Sequence, residues 1–195
     1  MIDFIKLNIS YKDRKELLSN ANINWTGNFD YETGEVFEYP IYGTYFGFRI
    51  RINASRIELK GSIHKLFNEI NLGDPINYNR LTVSDCIETI NHLCNALNLI
   101  PDKTIIENLE FGINLNFAES VQEIIMNKII VWNARPFTRV KHYRNGSIIK
   151  SLSFTQSENK FYDKGRQTFL EREILRIEKK VVKNVYLKKI IEFQY

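Results

Sequence analysis

Cysteine, histidine, proline and glycine are all scarce in this 195-residue chain, and each scarcity excludes something. The two cysteines, Cys86 and Cys94, lie eight positions apart in one predicted helix, too far along its axis to be bridged. With no CxxC and only His64, His92 and His142, the Cys/His sets that hold structural zinc are missing. Four prolines and nine glycines form no Pro-rich linker, low-complexity tract or solenoid-period repeat. No apolar run approaches the ~20 residues of a membrane span. The opening MIDFIKLNIS has neither the apolar core nor the cleavage site of a signal peptide, and reads instead as a first strand. A cytoplasmic protein with no membrane partner is therefore expected. GxxxxGK, GxGxxG, GxSxG and HExxH are also absent, which removes the usual support for NTPase, dinucleotide, α/β-hydrolase and zincin chemistry.

What is present is an ordinary globular composition, 44% hydrophobic and 26% charged, long enough for one core or one core with a small appendage. A single domain over residues 1–195 is expected. The net charge of +4 conceals an asymmetry: residues 1–127 carry 11 Lys+Arg against 17 Asp+Glu, residues 128–195 carry 16 against 6. So basic a last third suits a polyanion, because Lys and Arg gain affinity by releasing counterions from phosphates. Trp132, Phe137, Tyr143, Phe154, Phe161 and Tyr162 are interleaved with those cations and could stack on bases or fill a core.

Hydrophobic periodicity places strands at 2–9, 42–52, 56–60, 105–117, 148–156, 159–165 and 173–182, with a hairpin over Asn22–Tyr39 turning at Thr33-Gly34. Helices are expected over 12–20, 83–97 and 119–129, the second with a Thr82/Asp85 capping box and a Val83, Ile87, Ile90, Cys94, Leu97 stripe. Asn145-Gly146 marks a hairpin turn. The fold class is α+β: a mixed, mainly antiparallel sheet with helices packed on it, in two βα-type halves. Asn53-Ala54-Ser55 and Asn145-Gly146-Ser147 match the glycosylation pattern with no secretion signal beside them.

Three strands gather polar groups on one face. In 109–117, Glu110, Gly112, Asn114 and Asn116 alternate with Leu109, Phe111, Ile113, Leu115 and Phe117, so a carboxylate and amides could ligate a hard divalent cation. A solvent-facing side of a one-sided sheet would look the same. In 159–165, Lys160, Tyr162 and Lys164 share a face, where ammonium groups favour a phenolate and could hold a phosphate. In 175–182, Arg176, Glu178 and Lys180 oppose Leu175, Ile177 and Val181, which makes Glu178 a second carboxylate. His64 and Lys65 begin a helix after a strand, where backbone N–H groups could meet a phosphate.

Met1-Ile2-Asp3, Asn108-Leu109-Glu110-Phe111-Gly112-Ile113, Lys160-Phe161-Tyr162-Asp163-Lys164-Gly165 and Leu175-Arg176-Ile177-Glu178 occur in an order that resembles the rolling-circle replication initiators of filamentous phages and related phage and plasmid elements. The resemblance spans residues 1 to about 183. It implies site-specific nicking of one DNA strand, single-stranded or supercoiled at the origin, and rejoining through a phosphotyrosine bond. It implies Mg²⁺ or Mn²⁺ as cofactor and a host helicase as a further partner. On this pattern Tyr162 is the nucleophile and Lys164 its phosphate-contacting helper. Glu110 and Glu178, with Asn114 beside them, hold the metal, and Arg176 stabilises charge. Lys160, Arg166, His64, Lys65 and Lys180 contact nucleic acid. Tyr143, before Asn145-Gly146-Ser147, is a rival nucleophile, because certain plasmid initiators carry their tyrosine before a Gly-Ser pair. Members of this group are often longer than 195 residues, and Tyr186–Tyr195 would then begin a helix into a C-terminal extension. A non-catalytic DNA-binding relative, acting as regulator or interaction protein, is the alternative.

Overall fold

A computed structural model describes residues 2–27, 32–35 and 38–182. The helix start expected at Tyr186 and part of the loop around Thr33-Gly34 lie outside these residues. The architecture is α+β, with antiparallel strands and helices packed against them. The chain divides into two compact units, one ending at Leu109 and one beginning at Glu110. No helix among the described residues is long and apolar enough to cross a membrane.

In the first unit the strand order is β2-β3-β4-β5-β1-β6. β1 (Ile2–Asn8) buries Asp3, Ile5 and Leu7 on one face and pairs antiparallel with β5 (Ile57–Ser62). α1 (Arg14–Leu18) starts where the Asp13 carboxylate accepts from the Glu16 N–H. Among the described residues of the expected Asn22–Tyr39 hairpin, β2 (Asn24–Thr26) pairs beyond it, with β3 (Ile41–Tyr45). The single strand expected over 42–52 is itself a hairpin, β3 and β4 (Phe48–Ile52), joined by Phe46-Gly47 with Phe46 at φ +46°. A phenylalanine is an unusual occupant of that left-handed position, which is why the alternation of 46, 48, 50 and 52 looked continuous.

α2 (Ile63–Leu72) packs on β1 and β5, and α3 (Val83–Ala96) packs on α2. The Thr82/Asp85 capping box is present. The stripe of α3 is rotated from the expected one: Cys86, Thr89, Leu93 and Leu97 are buried, whereas Val83 and Ile87 face outward. Thr89 can join a buried face because its hydroxyl donates to the Asp85 carbonyl at 2.6 Å. Phe48, Ile50, Ile52, Leu59, Ile63 and Leu93 close the core, each buried side chain worth about 1.5–3 kcal/mol.

The second unit has the order β6-β12-β11-β10-β9, where β6 (Ile105–Phe117) contributes residues from 110 onward. β9 (Arg139–His142) and β10 (Ile148–Ser153) form a hairpin around Asn145-Gly146, with Gly146 at φ +79°. β11 (Ser157–Asp163) leads through α5 (Lys164–Gln167) to β12 (Glu173–Val181). The helix expected over 119–129 is shorter than its pattern: α4 (Val121–Glu123) passes into a π turn, Ile124–Lys128. The buried Lys150 ammonium takes up the Met126 and Ile129 carbonyls there, both at 3.1 Å. Val121, Ile125, Ile148 and Leu175 form this unit's core. β6 departs from expectation: Glu110 and Gly112 are buried, and Ile113, Leu115 and Phe117 are exposed.

Candidate active site

β11 and β12 are in register with Lys160 opposite Glu178 and Tyr162 opposite Arg176, and such partners point to one face. Tyr162 Oη donates to Glu178 Oε1 at 2.6 Å, and Arg176 Nε donates to the same oxygen at 2.7 Å. Arg176 Nη1 reaches β6 and donates to Asn114 Oδ1 at 3.0 Å. Glu110, also on β6, is ion-paired with Lys180 at 2.7 Å. Between them stands Gly112. A Cβ there would lie 2.5 Å from the Ile177 carbonyl oxygen and 3.0 Å from Glu178 Cγ. Only glycine lets β6 approach the backbone beside Glu178 so closely.

Lys160 Nζ lies 3.7 Å from Glu110 Oε2 and 3.9 Å from Glu178 Oε2. With Glu158 opposite Lys180, and Arg139 and Lys141 carried to the same face through β10, this face sets five cations (Arg139, Lys141, Lys160, Arg176, Lys180) against three carboxylates (Glu110, Glu158, Glu178). Arg176 is fully buried, and Tyr162 and Glu178 are each 5% exposed. Burying charge is tolerated only with this kind of pairing, since removing one member strands the others. The surplus positive charge suits a phosphate.

The same geometry tests the cluster against a metal. Glu110 and Glu178 offer hard carboxylate oxygens around one position, where the Lys160 ammonium already acts as the cation between them. No group of three His, Cys, Asp or Glu residues gathers among the described residues. Two carboxylates are the number an ion of the Mg²⁺ kind can take from protein, the rest of its shell being water and substrate phosphate. Asn114, beside them on β6, uses one lone pair of its carbonyl oxygen to accept from Arg176.

Lys164 opens α5 instead of extending the strand. It is buried, donates to Gln167 Oε1 at 3.1 Å and stands 6.0 Å from the centre of the Tyr162 ring. Arg166 is half exposed, 3.4 Å from Asp163. Tyr143 is 48% exposed at the β9–β10 turn. His64 and Lys65 belong to the first unit. The His64 ring is fully buried and its Nε2 meets Asn79 Oδ1 at 2.6 Å. That oxygen also accepts from the Asn68 amide, so His64 Nε2 is the donor and its imidazole holds a polar core, not a phosphate. Lys65 is exposed.

Sequence reasoning overlooked Arg139 and Lys141. Through Ser151↔Lys160 and Ile149↔Tyr162, the register puts both on the face that carries Lys160 and Tyr162. Their period-two spacing before the Asn145-Gly146 turn was the available signal. Asp163 was also overlooked as a structural group: it is buried and caps α5 by accepting from the Arg166 N–H.

Compared with known proteins, the chain matches no family model and no curated protein. Among solved structures it is similar to a rolling circle replication initiator protein from Geobacillus stearothermophilus, with TM-score 0.47 and 9% sequence identity over 94% of this chain and 74% of that one.

Proposed function

We propose that this chain initiates DNA replication by nicking and rejoining one strand through Tyr162. The observation that carries the reading is the Tyr162 Oη–Glu178 Oε1 hydrogen bond of 2.6 Å inside a cluster with surplus positive charge. Glu178 stands where it can take the phenol proton as the oxygen attacks phosphorus. The new bond joins Tyr162 to the phosphate, and the bond to the leaving sugar oxygen breaks. Arg176 and Lys160 face the charge that develops on the phosphate. The two Glu178 oxygens divide the work: Oε1 serves Tyr162 and Arg176, while Oε2 faces Lys160 and, with Glu110, would hold Mg²⁺ or Mn²⁺. A metal held there supplies Lewis-acid polarisation of the scissile phosphate. Return attack by a sugar hydroxyl on the phosphotyrosine rejoins the strand. DNA is the implied partner, with a host helicase following the nick.

One observation favours a second reading. Tyr162 is 5% exposed, so its hydroxyl reacts only if substrate binding uncovers it. A cluster that stays closed would make the chain a non-catalytic DNA-binding relative in which Tyr162, Arg176 and Glu178 hold the strands together.

The deciding experiment incubates the protein with labelled single-stranded DNA and Mn²⁺ and looks for a DNA–protein adduct on denaturing gels. An adduct that needs metal and is lost in Tyr162→Phe but kept in Tyr143→Phe supports nicking at Tyr162. Loss with Tyr143→Phe alone moves the nucleophile to the exposed turn. No adduct, with salt-sensitive DNA binding, supports the second reading.

A further inference from the structure

On the sheet face opposite Tyr162, the second unit contains a cavity of about 440 Å³ lined by Trp132, Asn133, Phe154, Gln156, Asn159 and Lys179, among others. Phe161 and Asn159 are neighbours on this face of β11. Phe161 is covered by Trp132 and Phe137, in edge contact at 4.9 and 5.3 Å. Beyond Trp132 that apolar cover stops, and the cavity opens over Asn159. Asn159 is 9% exposed, and its side-chain amide makes no hydrogen bond among the described residues. Its amide opens on the cavity and offers donors and an acceptor to a group that enters it.

The walls say what kind of group enters. Trp132 keeps 41% of its surface exposed although it rests on Phe161. It stands on a two-strand hairpin, β7 (Val131–Trp132) and β8 (Arg135–Pro136), turned by Asn133 and Ala134 at φ +53° and +58°. Arg135 lies over the Phe154 ring at 5.5 Å. Two aromatic surfaces, amides at the floor and cations at the rim are the parts that stack a base, read its edge and hold its phosphate. The cavity has room for a flat heterocycle, whose hydrogen-bonding edge can reach Asn159 only when the base is unpaired. The 16 Lys+Arg against 6 Asp+Glu of residues 128–195 favour a polyanion over a neutral aromatic ligand.

We infer that this cavity binds an unpaired nucleobase of single-stranded DNA, stacked on Trp132 and Phe154 with its edge on Asn159. It deepens the nicking reading by giving the displaced or incoming strand a second anchor, yet needs neither metal nor Tyr162 chemistry.

The test uses the full chain in EDTA with a single-stranded oligonucleotide carrying 5-iododeoxyuridine. Irradiation followed by peptide mapping is expected to join DNA to Trp132 or Phe154. Fluorescence anisotropy is expected to show about tenfold weaker binding for Trp132→Leu. Because that change also removes a Phe161 contact, Arg135→Glu at the exposed rim serves as the second variant and should weaken binding by a similar factor. Crosslinks confined to other peptides, undiminished affinity in Arg135→Glu, or equal competition by duplex DNA would overturn the inference. A Tyr162 adduct in Mn²⁺ without a Trp132 or Phe154 crosslink overturns the base pocket and spares the nicking reading. A crosslink without any adduct supports the pocket while nicking fails.

Discussion

Glu178 Oε1 accepts from Tyr162 Oη at 2.6 Å and from Arg176 Nε at 2.7 Å, so one carboxylate oxygen holds both the candidate nucleophile and the candidate charge stabiliser. Replacing that oxygen by an amide removes the proton acceptor while nearly preserving shape. Glu178→Gln is therefore expected to slow adduct formation by about 10²–10⁴-fold, the range a positioned general base contributes. Circular dichroism and thermal melting alongside the gel assay separate this from unfolding. Adduct formation at the wild-type rate in a folded Glu178→Gln protein would remove Glu178 from the chemistry.

If the proposed metal binds between Glu110 and Glu178, it must compete with the Lys160 ammonium that lies 3.7 and 3.9 Å from them. Addition of Mn²⁺ should raise the melting temperature of the wild type, and chelation should reverse it, as for any ligand bound only by the folded chain. Glu110→Gln should abolish the shift. Lys160→Met should enlarge it, because the two carboxylates then lose their shared ammonium. Equal shifts in all three proteins would place the metal elsewhere.

Much of this site was legible in the sequence, for a physical reason. Strand alternation assigns Lys160 and Tyr162, Arg176 and Glu178, and Glu110 and Asn114 each to one face. The structure sets the three pairs side by side. Burial was not legible. A polar strand face normally meets water, and β6 inverts this, with Glu110 buried and Ile113 half exposed. Local pattern also failed where tertiary contacts choose between registers. The β2 strand could close on its own loop or on Ile41–Tyr45, and Phe46 occupies a turn position that carries no usual turn signature. In α3, Thr89 counts as polar by composition but buries its methyl and satisfies its hydroxyl on the helix backbone, which rotates the stripe. His64 looked like a ligand because the sequence shows neither Asn68 nor Asn79 beside it.

Gly112 positions the two carboxylate strands. An alanine methyl would press on the Ile177 carbonyl, which is backbone and cannot swing away. Gly112→Ala should destabilise the protein by about 1–3 kcal/mol, as overpacking does, and separate Glu110 from Lys180 and Asn114 from Arg176. Chemical denaturation measures the first effect. A Mn²⁺-induced melting shift smaller than that of the wild type measures the second. A fully stable Gly112→Ala protein with an unchanged metal response would show that β6 has room to move.

Lys150 is held below its usual pKa by burial, yet it donates to two carbonyls at the end of the π turn. Lys150→Met removes that burial cost and also leaves both carbonyls without the ammonium. Hydrogen bonds to charged groups outweigh the relief, so a net loss of about 1–3 kcal/mol is expected in equilibrium denaturation. Amide hydrogen exchange should speed up first at Ile129, whose N–H closes the turn on the Ile124 carbonyl.

Asp163 gives a pH signature. Its carboxyl is pushed above its ordinary value of 3.8, first by burial and then by repulsion from Glu173, against the Arg166 N–H and charge that lower it. A carboxyl with a raised folded pKa ionises later in the folded protein than in the unfolded chain. Its ionisation therefore costs stability, and the cost is complete above the folded pKa and absent below the unfolded one. Asp163→Asn keeps an oxygen to accept from the Arg166 N–H, so the α5 cap survives without the charge. The difference in melting temperature, variant minus wild type, should be largest near neutral pH. It should shrink as pH falls from the raised folded value toward 3.8, because only the wild type regains stability there by taking up the proton. A difference that stays constant across that window would mean that Asp163 is ionised at no cost. The capping bond would then outweigh its burial.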